Sequence, residues 1–340
     1  MDEFELIREY FRELTPARAD IVLGIGDDCA LLQAPAGEQL AVTTDTLVAG
    51  RHFPDSTSPY NIGWKSLAAS LSDLAAMGAE PRWFLLALTL PEASKSWLQA
   101  FSQGLRDLAL RYNIALVGGD TTRGPLSVTI TAAGVVPAEG ALRRSGAKPG
   151  DLVCVTGSLG DAALALRALK GRQSLLSRVT AGRFNLAVPA GLKRVPKVAE
   201  MEALQDRLDR PSPRVRTGIA LRGLASAVID ISDGLAGDLQ HILDASGVGA
   251  DVWVDRLPAS EEFKELAPDE HRHALQLGGG DDYELCVCLP GTLFKDAKKK
   301  VVTALIVVGV ITERAGLRYM DDMGREVRPQ VTGYRHFGGG

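Results

Sequence analysis

The stretch Pro59-Tyr60-Asn61-Ile62-Gly63-Trp64-Lys65-Ser66-Leu67-Ala68-Ala69-Ser70-Leu71-Ser72-Asp73-Leu74-Ala75-Ala76-Met77-Gly78, followed by the run Trp83-Phe84-Leu85-Leu86-Ala87-Leu88-Thr89-Leu90, changes periodicity once. Trp64, Leu67, Leu71 and Leu74 recur at spacings of three and four, so a helix over about 59–77 has one stripe to bury. Gly78 stands where a left-handed C-terminal cap belongs. The apolar run 83–90 reads as a strand.

Working outward, a strand is expected near 40–48 and a helix over about 95–112. Two further strands follow, near 114–117 and 126–136. This is βαβ-type order with an antiparallel component, which favours an α+β amino-terminal domain with a mixed or antiparallel sheet. The chain of 340 residues is longer than a single core usually grows, so two domains are expected. Turn chemistry at Ala147-Lys148-Pro149-Gly150-Asp151, just before an apolar strand at 152–156, places the boundary: domains 1–146 and 147–340. The second half adds a helix from about 161, a turn cluster at Arg210-Pro211-Ser212-Pro213-Arg214, a strand near 227–231, a helix near 236–245, and strands near 283–289 and 305–310. Both halves contain Gly-Gly-Asp, at 118–120 and 279–281, without a fixed period that would make them repeats.

With 46% hydrophobic and 24% charged residues the composition is that of a globular protein. A net charge of −4 supplies no basic field for nucleic acid, and the basic run Lys298-Lys299-Lys300 reads as a solvated helix end. Residues 1–14 mix charges with apolar residues at helical spacing, unlike a secretory signal, and no apolar run reaches membrane-spanning length. Cys29, Cys154, Cys286 and Cys288 form no C-x-x-C pair, and the last two fall in an apolar strand-like stretch that suits buried packing. A cytoplasmic protein is expected, with neither a nucleic-acid nor a membrane partner.

Five clusters place Asp beside Gly, Ser or Thr at the edges of apolar runs: Gly24-Ile25-Gly26-Asp27-Asp28, Thr43-Thr44-Asp45-Thr46, Gly118-Gly119-Asp120-Thr121-Thr122, Asp230-Ile231-Ser232-Asp233-Gly234 and Gly278-Gly279-Gly280-Asp281-Asp282. One such cluster is an ordinary turn. Five together suit a hard cation such as magnesium, which takes carboxylate, water and phosphate oxygens and seldom a complete protein cage. Asp73 lies in the 59–77 helix, off its apolar stripe. Five histidines without H-x-E or H-E-x-x-H leave a zinc hydrolase site without ligands. Gly24-Ile25-Gly26 has Cys29 where the dinucleotide fingerprint needs its third glycine. No G-x-x-x-x-G-K-[ST], H-R-D or D-F-G is present. Carboxylates repel polyphosphate, so a nucleotide site here requires bridging metals.

Taken in order from about Phe4 to Phe337, Gly24-Ile25-Gly26-Asp27-Asp28-Cys29-Ala30, Thr44-Asp45-Thr46-Leu47-Val48, Asn61 to Gly78 ending Leu-Ser-Asp-Leu-Ala-Ala-Met-Gly, Gly118-Gly119-Asp120-Thr121-Thr122 and Ile229-Asp230-Ile231-Ser232-Asp233-Gly234-Leu235 resemble the thiamine-monophosphate kinase family. That family lies within the aminoimidazole-ribonucleotide-synthetase-like ATP-binding superfamily. Selenophosphate synthetase, a relative there, normally carries a reactive Cys or selenocysteine near its start; here the first cysteine, Cys29, is already inside an aspartate motif.

The resemblance implies an α+β amino-terminal domain that dimerises through its sheet, a carboxy-terminal α/β domain, and ATP-dependent phosphorylation of thiamine monophosphate with several Mg2+ ions. Magnesium ligands are carried over to Asp28, Thr43, Thr44, Asp45, Asp73, Asp120, Asp230 and Asp233. ATP contacts are carried over to Tyr112, Gly119, Asp120, Arg144 and Ser232, and substrate contacts to His52, Asp281 and Tyr334. The family usually reads Gly-Gly-Glu-Asp-Tyr-Glu-Leu, whereas this chain has Asp281 before Asp282-Tyr283-Glu284-Leu285. The charge is kept on a side chain one methylene shorter, a gap that a water can bridge. No base or nucleophile is assigned, since a phosphate monoester is already mostly dianionic at neutral pH.

Overall fold

The computed structural model describes residues 3–180, 188 and 191–329. It divides into two compact units: Met1–Ala141 with Pro213–Arg222, and Leu142–Ser212 with Gly223–Gly340. The division falls at 141/142, a few residues before the turn at 147–151. The second turn cluster, 210–214, is where the chain enters the ten-residue segment that belongs to the first unit.

In the first unit a short helix α1 (Glu3–Leu6) and one π-helical turn precede a small hairpin of β1 (Ile21–Leu23) and β2 (Leu31–Leu32). The main elements are β3 (Glu38–Val48), α2 (Pro59–Ala76), β4 (Glu80–Leu90), α3 (Lys95–Tyr112), β5 (Ala115–Arg123) and β6 (Ser127–Pro137). The strands form one mixed sheet in the order β3-β6-β4-β5. Pairing is antiparallel except for β4 with β5.

Ser58 caps α2, its hydroxyl accepting the Asn61 N–H at 3.3 Å, with Pro59 at the first position, where its missing N–H costs nothing. The helix ends as the stripe expects. Gly78 takes φ +64, and Ala79 N–H returns to the Leu74 carbonyl at 2.8 Å. Helices α2 and α3 touch backbone to backbone: a Cβ on Gly63 would sit 2.2 Å from the Phe101 carbonyl oxygen, and one on Gly104 would sit 1.9 Å from that of Tyr60.

Alternation along the strands gives the sheet two different faces. One buries Leu47, Phe84, Leu86, Leu88, Val128 and Ile130. The other leaves Leu40, Val42 and Leu85 at 53%, 63% and 41% exposure. The segment Pro213–Arg222 carries a short helix, Val215–Ala220, packed on α2. Gly218 is required there, because a Cβ would lie 1.9 Å from the Ala75 carbonyl oxygen.

The second unit contains β7 (Leu152–Thr156), α4 (Asp161–Thr180) and α5 (Val198–Asp209). With the 215–220 helix counted as α6, there follow β8 (Ala227–Ile231), α7 (Leu235–Ser246), β9 (Gly249–Trp253), α8 (Glu261–Leu266), α9 (Asp269–Gly278), β10 (Glu284–Leu289), α10 (Phe294–Lys300), β11 (Leu305–Thr312), β12 (Gly316–Met320) and β13 (Glu326–Val327). Its seven strands run β13-β12-β9-β11-β7-β10-β8, antiparallel throughout except β9 with β12. Helix α7 fills the groove against β8 and β10 through Leu235, Leu239, Ile242 and Leu243. A second cluster, from Ala162 and Leu164 to Phe263, joins α4, α5 and α8. Cys286 and Cys288 are buried as the sequence suggests, their thiols pushed up by burial.

Candidate active site

The Thr43-Thr44-Asp45 cluster lies within β3 rather than at its end, so the period of two sends its members to opposite faces of the sheet. Thr43 and Asp45 face α2. The Thr43 hydroxyl donates to Asp73 Oδ2, and Ser70 on α2 donates to Asp45 Oδ2 at 2.7 Å. Burial, and after it the charge of Asp73, pushes Asp45 up to about 6; the Ser70 hydrogen bond opposes them. Ser70 was not among the residues expected. Its signal is its place three residues before Asp73, which puts both on one face of α2.

Thr44 faces the opposite way, its hydroxyl 2.9 Å from that of Thr131. Asp120 is on this side too, in register with Ala87. The strand expected to stop at 117 continues through Gly118-Gly119-Asp120 as part of β5, after a bulge that shifts its pairing with β4. Gly119 is needed at φ +150, where a Cβ would fall 1.8 Å from the Leu86 carbonyl oxygen. Gly119 and Asp120 line a cavity of about 860 Å³, together with Asp27, Asp28, Trp83 and Val42. Of the first-unit carboxylates expected as ligands, Asp45 and Asp73 therefore interact with each other on one face of the sheet, whereas Asp28 and Asp120 line the cavity on the other.

His52 is half-buried in the turn after β3, and its Nδ1 accepts the Val48 N–H at 3.0 Å. Tyr112 ends α3 and donates its hydroxyl to the Pro213 carbonyl at 2.8 Å. Burial raises its pKa. It does not line the cavity of Gly119 and Asp120.

In the second unit Asp230 is buried on β8, and Ser232 and Asp233 form the turn into α7. Asp238, not among the residues expected, reaches back from the first turn of α7 to accept the N–H groups of Ser232 and Asp233 at 3.0 and 3.1 Å. An acid in a first helical turn is the available signal. Burial and the charge of Asp233 raise Asp238 to about 7, against those hydrogen bonds and Arg144.

The turn carrying Asp281 folds onto the same segment. Asp281 N–H donates to the Ser232 carbonyl at 2.9 Å and Tyr283 N–H to that of Ile231 at 2.8 Å. The Tyr283 hydroxyl donates to Asp281 Oδ1 at 3.2 Å. Ser232, Asp233 and Asp281 are thus neighbours around the start of α7. The charge of Arg144 acts on Asp238 there, but its carbonyl accepts the Ser246 hydroxyl at 3.4 Å at the other end of the helix, while Tyr334 lies outside the described residues.

Among the described residues no three His, Cys, Asp or Glu side chains converge into a complete metal cage. Magnesium does not need one, as it keeps waters and takes phosphate oxygens. The Asp45–Asp73 pair fits such an ion: its donors are oxygens, and two acids close enough to raise a pKa gain from a cation between them.

Family models for the AIR synthase related protein match in order, the N-terminal domain over residues 26–136 and the C-terminal domain over 148–322. Fold and acid placement thus define a two-domain protein of the AIR synthase related class. Within that class, the thiamine-monophosphate kinase of Salmonella typhimurium (strain LT2) is 44% identical over 339 residues, 98% of each chain. The crystal structure of thiamine-monophosphate kinase from Stenotrophomonas maltophilia K279a superposes with a TM-score of 0.81 at 46% identity, covering 94% of this chain and 96% of that one. AaThiL complexed with AMPPCP and TMP gives a TM-score of 0.71 at 29% identity, with 92% of each chain covered. The chain belongs to the thiamine-monophosphate kinase family.

Proposed function

We propose that this chain transfers the γ-phosphoryl group of ATP to thiamine monophosphate, giving thiamine diphosphate and ADP by direct in-line displacement, with Mg2+ required. The observation that carries the reading is end-to-end identity with thiamine-monophosphate kinases, 44% over 98% of each chain. A solved relative bound to AMPPCP and TMP supports the pair of substrates.

The second pKa of a phosphate monoester lies near 6, so the acceptor is mostly dianionic at neutral pH and needs no base. The barrier is the approach of two anions, and the protein's part is to orient and neutralise. Magnesium held by the carboxylates named next would supply positive charge against the phosphate oxygens. Asp45 and Asp73 are proposed as one pair of ligands, with Thr43 steering Asp73; Asp28, Thr44, Asp120, Asp230 and Asp233 are proposed as the others. Gly119, Ser232 and Arg144 are proposed to contact ATP, Arg144 through its guanidinium fork. His52 and Asp281 are proposed to contact thiamine monophosphate. A cytoplasmic homodimer joined through the first unit's sheet is proposed as well, supported by exposed Leu40, Val42 and Leu85 on one face.

Purified protein incubated with ATP, Mg2+ and thiamine monophosphate is expected to yield thiamine diphosphate by chromatography, and none with free thiamine or with chelator. Product formed without divalent metal would remove the magnesium role. No product from folded, ATP-binding protein would remove the acceptor. Asp120→Asn is expected to fold and lose turnover; normal turnover at low and high Mg2+ would count against its role as a ligand.

A further inference from the structure

Away from the residues assigned above, the buried acids of the second unit include Asp161, Asp282 and Glu284, at 1%, 5% and 0% exposure. Arg207, on α5, serves two of them: Nη2 donates to Glu284 Oε1 at 2.9 Å, and Nε lies 3.7 Å from Asp161 Oδ2. Glu284 Oε2 accepts the Thr156 hydroxyl at 2.6 Å, and Thr156 Oγ1 in turn accepts the Leu285 N–H at 2.8 Å. Asp161 accepts the hydroxyls of Ser158 and Ser260, each at 2.6 Å.

The loop between β7 and α4 is wrapped on this network. A Cβ on Gly157, at φ +58, would lie 2.1 Å from Glu284 Oε1. At the far end of the loop, Gly160 donates its N–H to both oxygens of Asp282, at 3.0 and 2.9 Å. Asp282 is the centre of a turn whose flanking residues, Asp281 and Tyr283, take φ +69 and +50. Left-handed backbone at two non-glycine positions persists only where surrounding contacts over-determine it. The Gly160–Asp282 contact is one of those, beside the two backbone bonds to Ser232 and Ile231.

We propose that Arg207 is a positioning residue for the acceptor substrate: by tying Glu284 to Asp161 it fixes the loop that holds Asp282, and thereby the turn that presents Asp281. The proposal rests on the reading of Asp281 as a contact of thiamine monophosphate. An ion cluster of this kind does not stabilise more than apolar packing of the same volume, because removing its charges from water costs as much as their attraction returns. What it supplies is direction, since carboxylates and a planar guanidinium fork fix angles that apolar side chains leave free.

The test uses the full-length protein and two readouts. Hydrogen exchange of peptides spanning 156–161 and 279–283 reports the positioning itself, and the KM values for the two substrates report its consequence. Arg207→Met is expected to speed exchange in both peptides and raise KM for thiamine monophosphate about tenfold, with KM for ATP held within about twofold. Arg207→Lys should recover part of the loss. In an Asp281→Asn background, Arg207→Met should add less than about twofold, because both changes act through one group. Thr156→Val, which removes one hydroxyl from Glu284, gives a milder variant should Arg207→Met fail to fold, with the same direction expected.

Unchanged exchange in folded Arg207→Met, or in Thr156→Val where that variant replaces it, overturns the proposal. So does an equal rise in KM with and without Asp281→Asn. Faster exchange together with an unchanged KM in Asp281→Asn alone supports the positioning of the turn and overturns the substrate reading of Asp281, so the two failures are separable.

Discussion

Ser70 donates its hydroxyl hydrogen to Asp45 across the junction of α2 and β3, and Asp45 stands within reach of the charge on Asp73. One hydroxyl does not offset burial and a neighbouring carboxylate, which is why Asp45 sits near 6 rather than in the ordinary acid range. The first unit therefore carries an electrostatic cost that a divalent cation would relieve.

Asp45→Asn keeps the acceptor for Ser70 and removes the repulsion. In the presence of chelator at neutral pH it is expected to be more stable than the wild type by about 1–3 kcal/mol, read by denaturant unfolding. Added Mg2+ should raise the wild-type midpoint by more than that of the variant, while turnover of the variant falls. A wild-type midpoint indifferent to Mg2+ would argue against the pair as ligands.

Burial raises Asp282 well above the ordinary carboxylate value, and Asp161 and Glu284 add to the effect. Because the folded-state pKa is raised, the stability linked to this group is complete below its unfolded value near 4 and is lost as pH rises toward the folded value. Asp282→Asn, which still accepts from Gly160, should lose less stability than the wild type between pH 4 and 8. Asp282→Ala strands the Gly160 N–H and should cost about 1–3 kcal/mol at pH 4 and below, a difference from the wild type that shrinks as pH rises. Parallel pH–stability curves for wild type and Asn would contradict the raised pKa of Asp282.

Gly119→Ala places a methyl group against the Leu86 carbonyl at a backbone angle that alanine avoids. A loss of roughly 3 kcal/mol or more is expected by denaturant unfolding, because the neighbour is backbone in the sheet and cannot swing aside. A loss below about 1 kcal/mol would mean that β5 shifts along β4 more readily than its pairing indicates.

Tyr112→Phe removes the hydroxyl that holds the Pro213 carbonyl. Its stability cost should be about 1 kcal/mol. The same variant decides between two uses of the hydroxyl: a raised KM for ATP supports a nucleotide contact, whereas an unchanged KM leaves Tyr112 as the tether of the 213–222 segment.

Local pattern carried much of the fold. The stripe at Trp64, Leu67, Leu71 and Leu74, the Gly78 cap and the apolar runs at 152–156 and 227–231 placed α2, β7 and β8 within a residue or two, because helix and strand periods are properties of neighbouring residues. The strands β9, β12 and β13 and the helices α5, α8 and α9 were not anticipated. They are short segments whose apolar residues become a face only against the packed sheet or the α4 cluster.

By itself, the sequence determined the acidic and glycine-rich chemistry, the two-domain length and a family resemblance, since these reside in residue identity and order. Tertiary structure alone decided that Thr43 and Thr44 point to opposite faces, that Ser70 donates its hydroxyl to Asp45, and that residues 213–222 leave the second unit for the first. It also decided that Gly160 and Asp282, distant in sequence, meet at 2.9 Å. Those outcomes depend on pairing register and on contacts between segments far apart in the chain, for which a local pattern holds no signal.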